Sequence, residues 1–441
     1  MGTEISLNVG GIAVDWAKNA IGIHHGPLFQ EQDRQRLHCD QVNYDYLTEH
    51  GEDASEPEMS FSRLVKGVVA RLEMLGVGLQ NVRSAYDAAA KEWVELHEML
   101  AESSTSGEAE PEVAQPMSFD EFVAFVRAHP LNELHGQADW SAERRGRLGR
   151  FNDCADVDRI PFDSGLESMA YSERSYFLTV IGFLGPYATI RLLAESPANL
   201  DLPVVWQYGP LVWNGWATAE QFPAGPSRRQ TTLVATEGSS DVHILRHALK
   251  LLRPDVADFV RFIDVSDRHP FSGTGSLANF AEGLAKIDVH NQVVFVFDND
   301  AEGIDAAARV SRLKLPPNMG VLVLPDLEDF KRFPASGPNG LADSDINGRA
   351  AAIECYLDLR LAGRPPAEVQ WTSFKRDPDV YQGVLKHKGS YMDDFLKQTE
   401  QSLTDGGYDT SKIERVLDAL IAECCRLAQA VGDGRPMAAH D

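Results

Sequence analysis

Five consecutive apolar residues, Val293 to Phe297, end abruptly in Asp298-Asn299-Asp300, and this junction constrains the fold more than any other part of the chain. An apolar run without polar alternation reads as a strand buried on both faces, as in a parallel sheet covered by helices. Carboxylates at i and i+2 beyond its last residue fall in the crevice where open α/β sheets bind ligands. Clustered acids there are costly unless something positive joins them, and a divalent cation is the usual partner. The first expectation is a metal-dependent site at a strand end.

The surrounding pattern agrees with such a sheet. From Thr231, apolar runs (TTLVAT, DFVRFIDV, VVFVF, GVLVLP) alternate with helical patterns (DVHILRHALKLL, SLANFAEGLAKI, GIDAAARVSRLK). That alternation predicts a parallel sheet with helical crossovers. Upstream, Ile5 to Trp16 is a short apolar-polar stretch. The run RLVKGVVARLEMLGVGLQNVRSAYDAAAKEWVELHEML then has helical spacing, with Val68, Leu72, Leu75 and Leu79 on one stripe. Residues 103 to 116 read as a solvated linker or loop, and Ser118 with Glu121 as a capping box for the next helix. SYFLTVIGFLGPYATIRLLAES reads as buried helix, and DLPVVWQYGPLVWNGW as a β-hairpin or extended arm. The expected fold is α+β and multidomain. A mainly helical N-terminal half (1–225) precedes an α/β parallel-sheet, Rossmann-like domain (231–400) and a C-terminal helix (410–431), with a boundary near PAGPSRRQ, 223 to 230.

Composition narrows the class. The net charge of −25 excludes a general polyanion binder, so any nucleic-acid contact needs a local basic patch or a partner. The dense basic run ERRGRLGR, 143 to 150, reads as a solvated helix face ahead of a nucleic-acid contact. The five cysteines include one vicinal pair and no CxxC, which points to reduced thiols and a cytoplasmic location without a zinc site. No run of about eighteen apolar residues predicts a membrane span. The N-terminus has no secretory pattern, and its weak match to an N-myristoylation signal carries no argument.

A second acidic motif lies upstream. The first strand of the α/β pattern ends in Thr236-Glu237-Gly238-Ser239-Ser240-Asp241. Gly238 would permit a tight turn, and Ser240 or Asp241 would cap the helix. Glu237 then projects from the same sheet edge as Asp298 and Asp300. This pair of motifs resembles the Toprim domain, shared by topoisomerases, bacterial primases, recombination-mediator proteins and overcoming-lysogenization-defect nucleases. Its hallmark is a strand-ending E-G followed by D-x-D on a later strand; GTGS, 273 to 276, lies between them here. The resemblance implies that Asp298 and Asp300 bind Mg²⁺ (or Mn²⁺) and that Glu237 is a metal ligand or general acid/base. DSDINGRAAAIECYL, 343 to 357, is similar to the nuclease branch, in which an Ile-Glu on a helix supplies a further carboxylate. That implies Glu354 as a metal ligand, with Asp345 a lesser candidate. Lys388, ahead of Lys386, is the candidate to offset phosphate charge.

The N-terminal half also resembles a known architecture. GGIAVDWAKN, HHGPLFQEQDR and WQYGPLVWNGW are similar to the domain fused to HEPN or Toprim domains in predicted prokaryotic defence proteins. Together the resemblances imply a metal-dependent Toprim nuclease acting on DNA or RNA, with tRNA one candidate. The setting would be anti-phage defence, gated by an infection signal, a partner protein or a homo-oligomer. The competing expectation is a catalytically inert Toprim module that senses or docks a partner. A phosphatase of the haloacid-dehalogenase type is weaker, because Glu237 occupies the place of its nucleophilic aspartate. A HEPN ribonuclease motif is discarded, since the Arg435 to His440 spacing contains Pro436. His24-His25 reads as structural, and no GxxxxGK[ST] marks a P-loop.

Overall fold

The computed structural model describes residues 2–103, 115–138, 147–263, 273–287, 289–338, 340–361, 363, 365–375 and 380–432. Most of the linker at 103–116, the first half of the basic run at 143–150 and the tail with Arg435 and His440 lie outside these residues. The chain forms two compact units, Met1–Gly225 and Pro226–Val431.

The N-terminal unit is not mainly helical, contrary to expectation. Its framework is a five-stranded antiparallel sheet of β1 (Glu4–Val9), β2 (Ile12–Lys18), β3 (Arg34–Arg36), β4 (Met59–Leu64) and β5 (Pro203–Gln207), in the order β2-β1-β5-β4-β3. The Ile5 to Trp16 stretch is the β1–β2 hairpin. The stretch at 201–216, expected as a β-hairpin or extended arm, is the central strand β5 followed by a short helix. Around the sheet lie α1 (Tyr44–His50), α2 (Val65–Met74), α3 (Leu79–Ser103), α4 (Phe119–Ala128), α5 (Glu173–Ile181), α6 (Pro186–Leu193) and α7 (Gly209–Trp213). Two long periodic stretches are broken into pairs. Gly76, at φ +83°, separates α2 from α3, and Gly185-Pro186 separates α5 from α6 with a 116° bend. The capping box of Ser118 and Glu121 forms at the start of α4.

The core of this unit is aromatic. Phe29 stacks on Phe61, Phe61 on Trp206, and Tyr208 on Phe222. His25 is buried beside Trp206, with its Nε2 2.9 Å from Asp15 and its Nδ1 3.3 Å from the Tyr187 hydroxyl. The fully buried Arg71 donates to the Pro27 and Phe29 carbonyls at 2.8 and 2.9 Å. Among the described residues no single helix is long and apolar enough to cross a membrane.

The C-terminal unit carries the expected alternation. Strands β6 (Thr232–Ala235), β7 (Val260–Phe262), β8 (Gln292–Phe297) and β10 (Met319–Val323) form a parallel sheet in the order β10-β8-β6-β7. β8 is central and buried along its whole length, because its odd and even residues face opposite layers. Helices α9 (Thr274–Ile287) and α10 (Ala301–Ser311) pack with Val293, Phe295 and Phe297. With right-handed crossovers, α8 (Ser239–Leu252) covers the opposite face. Counted outward from β7, the order in chain sequence is second, first, third, fourth. The connections therefore reverse between β6 and β8, and a crevice opens at the carboxyl ends of these two strands.

Two further pairings flank the crevice. β9 (Asn299–Asp300) pairs with β13 (Ala350–Ala351). β11 (Phe333–Gly337), β12 (Gly340–Ser344), β14 (Val369–Lys375) and β15 (Val380–Leu385) form a mixed sheet, β12-β11-β14-β15. Helices α11 (Lys388–Phe395), α12 (Glu400–Thr404) and α13 (Ser411–Gly432) close the unit. The whole is an α+β protein with several sheets, one of them parallel and Rossmann-like.

Candidate functional site

The reversal point carries five carboxylates. β6 ends two residues before Glu237, and β8 ends one residue before Asp298. The Glu237 Oε1 accepts the Asp298 N–H at 3.1 Å, so one side chain ties the ends of the two central strands together. Its Oε2 accepts from the Thr274 hydroxyl at 2.7 Å, from the first residue of α9. Asp300 caps α10, accepting the Gly303 N–H at 2.7 Å, while its other oxygen takes the Gln382 amide at 2.6 Å. Gly303 has no substitute here, since a Cβ would lie 2.2 Å from the Asp298 carbonyl. Asp298 accepts the Ile353 N–H at 3.0 Å, and that bond brings the next residue, the buried Glu354, to the cluster.

The fifth member is Asp241, in the first turn of α8. Its carboxylate accepts the Gly238 N–H at 2.9 Å and the Ser240 hydroxyl at 3.1 Å. Sequence reasoning took Asp241 only as a helix cap. The available signal was its place four residues after Glu237, which returns it to the same sheet edge. Gly238 itself has φ −143°, and a Cβ added there would meet nothing nearer than 3.7 Å, so the turn does not demand glycine.

Electrostatically the cluster is under strain. Burial pushes Glu237 up to about 7, with Asp300 and Asp241 adding repulsion, while the bonds from Thr274 and Asp298 pull the other way. Burial lifts Asp241 to about 6, with Glu354 contributing. Asp298 is raised well above the ordinary carboxylate range by burial, then by Asp241, Glu237, Asp300 and Glu354. Asp300 is also raised, chiefly by burial. Lys388, the first residue of α11, brings an ammonium 3.6 Å from Glu354. Among the described residues no arginine or lysine pairs with Glu237, Asp241, Asp298 or Asp300.

With this geometry in hand, comparison with known proteins adds one finding. Residues 1–230 match the HEPN/Toprim N-terminal domain 1 family. The chain belongs to that family. No curated protein and no solved structure matches it. The family match ends seven residues before Glu237, so it covers none of the five carboxylates. The site in this family member therefore stands on its own geometry.

The structure thus brings Glu237, Asp298, Asp300, Glu354 and Lys388 together. Glu354 lies on a single 3₁₀ turn (Ile353–Tyr356) after β13, not on an α-helix. Asp345 is exposed and bonded to Asn347, apart from the cluster, and Lys386 pairs with Glu368 at 2.6 Å. Asn299 was not singled out by sequence. It donates to Asp326 beyond β10 at 2.8 Å and accepts the Gly348 N–H at 2.8 Å, which fixes the backbone between the two aspartates. Carboxylate oxygens are the ligands Mg²⁺ and Mn²⁺ prefer. As placed, no three acidic, histidine or cysteine side chains among the described residues converge closely enough to hold an ion. Several oxygens are instead turned toward protein N–H and O–H donors.

Proposed function

We propose that the C-terminal unit is a Toprim domain that cleaves phosphodiester bonds in nucleic acid with Mg²⁺ or Mn²⁺, as part of anti-phage defence. The observation that carries this reading is the meeting of Glu237 with the Asp298-x-Asp300 motif across the reversal point, bonded at 3.1 Å although far apart in sequence. Asp298, Asp300 and Glu237, with Glu354, would hold the cation, which would polarise the phosphate and activate water when bound.

The chain's own groups supply the rest. If Asp298, Asp300 and Glu354 hold the cation without it, Glu237 is the group placed to act as general acid/base; in the metal-free site burial pushes it up to about 7. Lys388 brings positive charge to an otherwise anionic crevice, where it would offset the negative charge of the reacting phosphate. Thr274 and Gln382 are positioning residues, fixing Glu237 and Asp300 by hydrogen bonds. The strong negative charge of the chain favours activity gated by a partner protein, a second copy or an infection signal over autonomous duplex binding.

One observation favours a second reading, an inert Toprim module that senses or docks a partner: the site oxygens are engaged by protein donors. Cleavage of plasmid DNA and tRNA in Mg²⁺ or Mn²⁺, by wild type and by an Asp298→Ala/Asp300→Ala variant, separates the two. The nuclease reading expects cleavage by wild type alone. Equal cleavage by both proteins overturns the site, and none by either under activating conditions selects the module.

A further inference from the structure

The β14–β15 ribbon holds Asp300 with one face and displays aromatic rings on the other. Gln382 bonds Asp300, and Lys375 forms an ion pair with Glu302 at the start of α10. Residues opposite one another on paired strands share a face, and neighbours along a strand alternate. Tyr381, paired with Phe374, therefore lies on the face away from Gln382 and Lys375. An irregularity between Trp371 and Ser373 shifts the register by one residue, and Trp371, opposite Gly383 and on the side of the buried Val369 and Leu385, is only partly exposed. Gly383 faces inward: a Cβ there would be 2.7 Å from Val369 and 2.9 Å from both Ala350 and Trp371.

The rings are not core. Phe374 is 48% exposed and Tyr381 49% exposed. They meet edge to face with centroids 5.0 Å apart, and Tyr381 lies 6.2 Å from Trp371. Their surroundings also depart from the rest of this acidic chain. Residues 369–375 and 380–388 contain Lys375, Lys386, His387 and Lys388 and no acid, while the linking residues 376–379 add Arg376, Asp377 and Asp379. Glu302, Glu368 and Glu354 pair with the three lysines, so the ribbon is close to neutral where most of the chain repels a polyanion.

We propose that this outer face stacks unpaired bases, which makes single-stranded nucleic acid the substrate class of the acidic site beside it. The proposal rests on the nuclease reading for what happens next to the ribbon, but the binding itself does not require it. Aromatic faces bind bases of any sequence, provided those bases are not already paired. A near-neutral platform tolerates the phosphate backbone without attracting it strongly, so affinity comes from stacking and depends little on salt. Duplex hides its base faces and meets only the repulsive field of the chain.

The test uses the full-length protein in EDTA, with fluorescent oligothymidylate, oligouridylate and a duplex followed by anisotropy. Both single strands are expected to bind at least about tenfold more tightly than duplex. Tyr381→Ala and Phe374→Ala should each weaken single-strand binding by roughly tenfold or more. Tyr381→Trp should restore it and Tyr381→Leu should not, with melting temperatures unchanged throughout. Unaltered binding in the Phe374→Ala/Tyr381→Ala double variant overturns the proposal. Full rescue by Tyr381→Leu also overturns it, assigning the face to apolar contact with a protein. Metal-dependent cleavage by wild type with no loss in the ring variants refutes the platform and leaves the nuclease reading standing. Single-strand binding without cleavage in Mg²⁺ or Mn²⁺ refutes the nuclease reading and leaves the platform standing.

Discussion

Replacing Asp298 by asparagine should stabilise the metal-free protein. Asp298 lies at the end of the central strand, its carboxylate surrounded by four others and paired with no arginine or lysine among the described residues. Asparagine is nearly isosteric, and its Oδ1 can still accept the Ile353 N–H. Only the charge is removed. The scale follows from the neighbours: lifting Glu237 from its ordinary 4.5 to about 7 corresponds to roughly 3 kcal/mol against ionising it in the fold. Asp298 is itself raised well above the ordinary range, by burial and then by its four neighbours, so removing its charge should be worth on the order of 1–3 kcal/mol at pH 8. For a unit of this size the melting temperature would rise by about 2–12 °C.

The sign depends on pH. Acids whose folded pKa is raised favour the fold below their unfolded pKa and lose that contribution as pH climbs through the folded value. Wild type should therefore lose stability between the ordinary carboxylate range and about pH 7, following Asp241 at about 6 and Glu237 at about 7. The Asp298→Asn variant should lose less. Calorimetric melts in EDTA from pH 5 to 8 measure both. Adding Mg²⁺ at 100 times its dissociation constant should stabilise wild type by about 2.7 kcal/mol and the variant far less. A variant that melts below wild type at pH 8, or gains as much at pH 5, would refute the reasoning.

Other perturbations test separate parts. Gly303→Ala should destabilise the C-terminal unit by about 1–3 kcal/mol in urea melts, because the Asp298 carbonyl blocks the added methyl. Arg71→Met should cost the N-terminal unit at least about 3 kcal/mol, since the Pro27 and Phe29 carbonyls lose a buried cationic donor. Lys388→Ala should slow cleavage by about tenfold or more while preserving the Mg²⁺-dependent melting shift, a split visible by running both assays on one preparation.

Legibility followed sequence distance. The buried strand at Val293–Phe297 and the helices around it announce themselves locally, so the parallel sheet could be read directly. Glu237 and Asp298 could be joined before any coordinates because both end strands of one sheet, and strand ends share an edge. The N-terminal sheet had local signals only at Ile5 to Trp16 and at 201–216, and neither shows that the strands pair. Its central strand β5 pairs with β1 and β4 across most of the unit, while the helical stretches between them dominate the pattern. Gln382 reaches Asp300 from a ribbon 82 residues away, a partnership only tertiary structure can make. The resemblance to the nuclease branch implies a helix at Glu354, yet Ile353 bonds Asp298 and the segment is a single tight turn.

The central claim is that Glu237, Asp298 and Asp300 together hold a divalent cation. Anomalous diffraction from crystals soaked in Mn²⁺ tests it most directly. The expected result is a manganese peak within coordination distance of Asp298 and Asp300, with Glu237 or Glu354 turned toward it, and no peak in crystals of Asp298→Asn. Manganese found only elsewhere, or an empty crevice at saturating Mn²⁺, would contradict it.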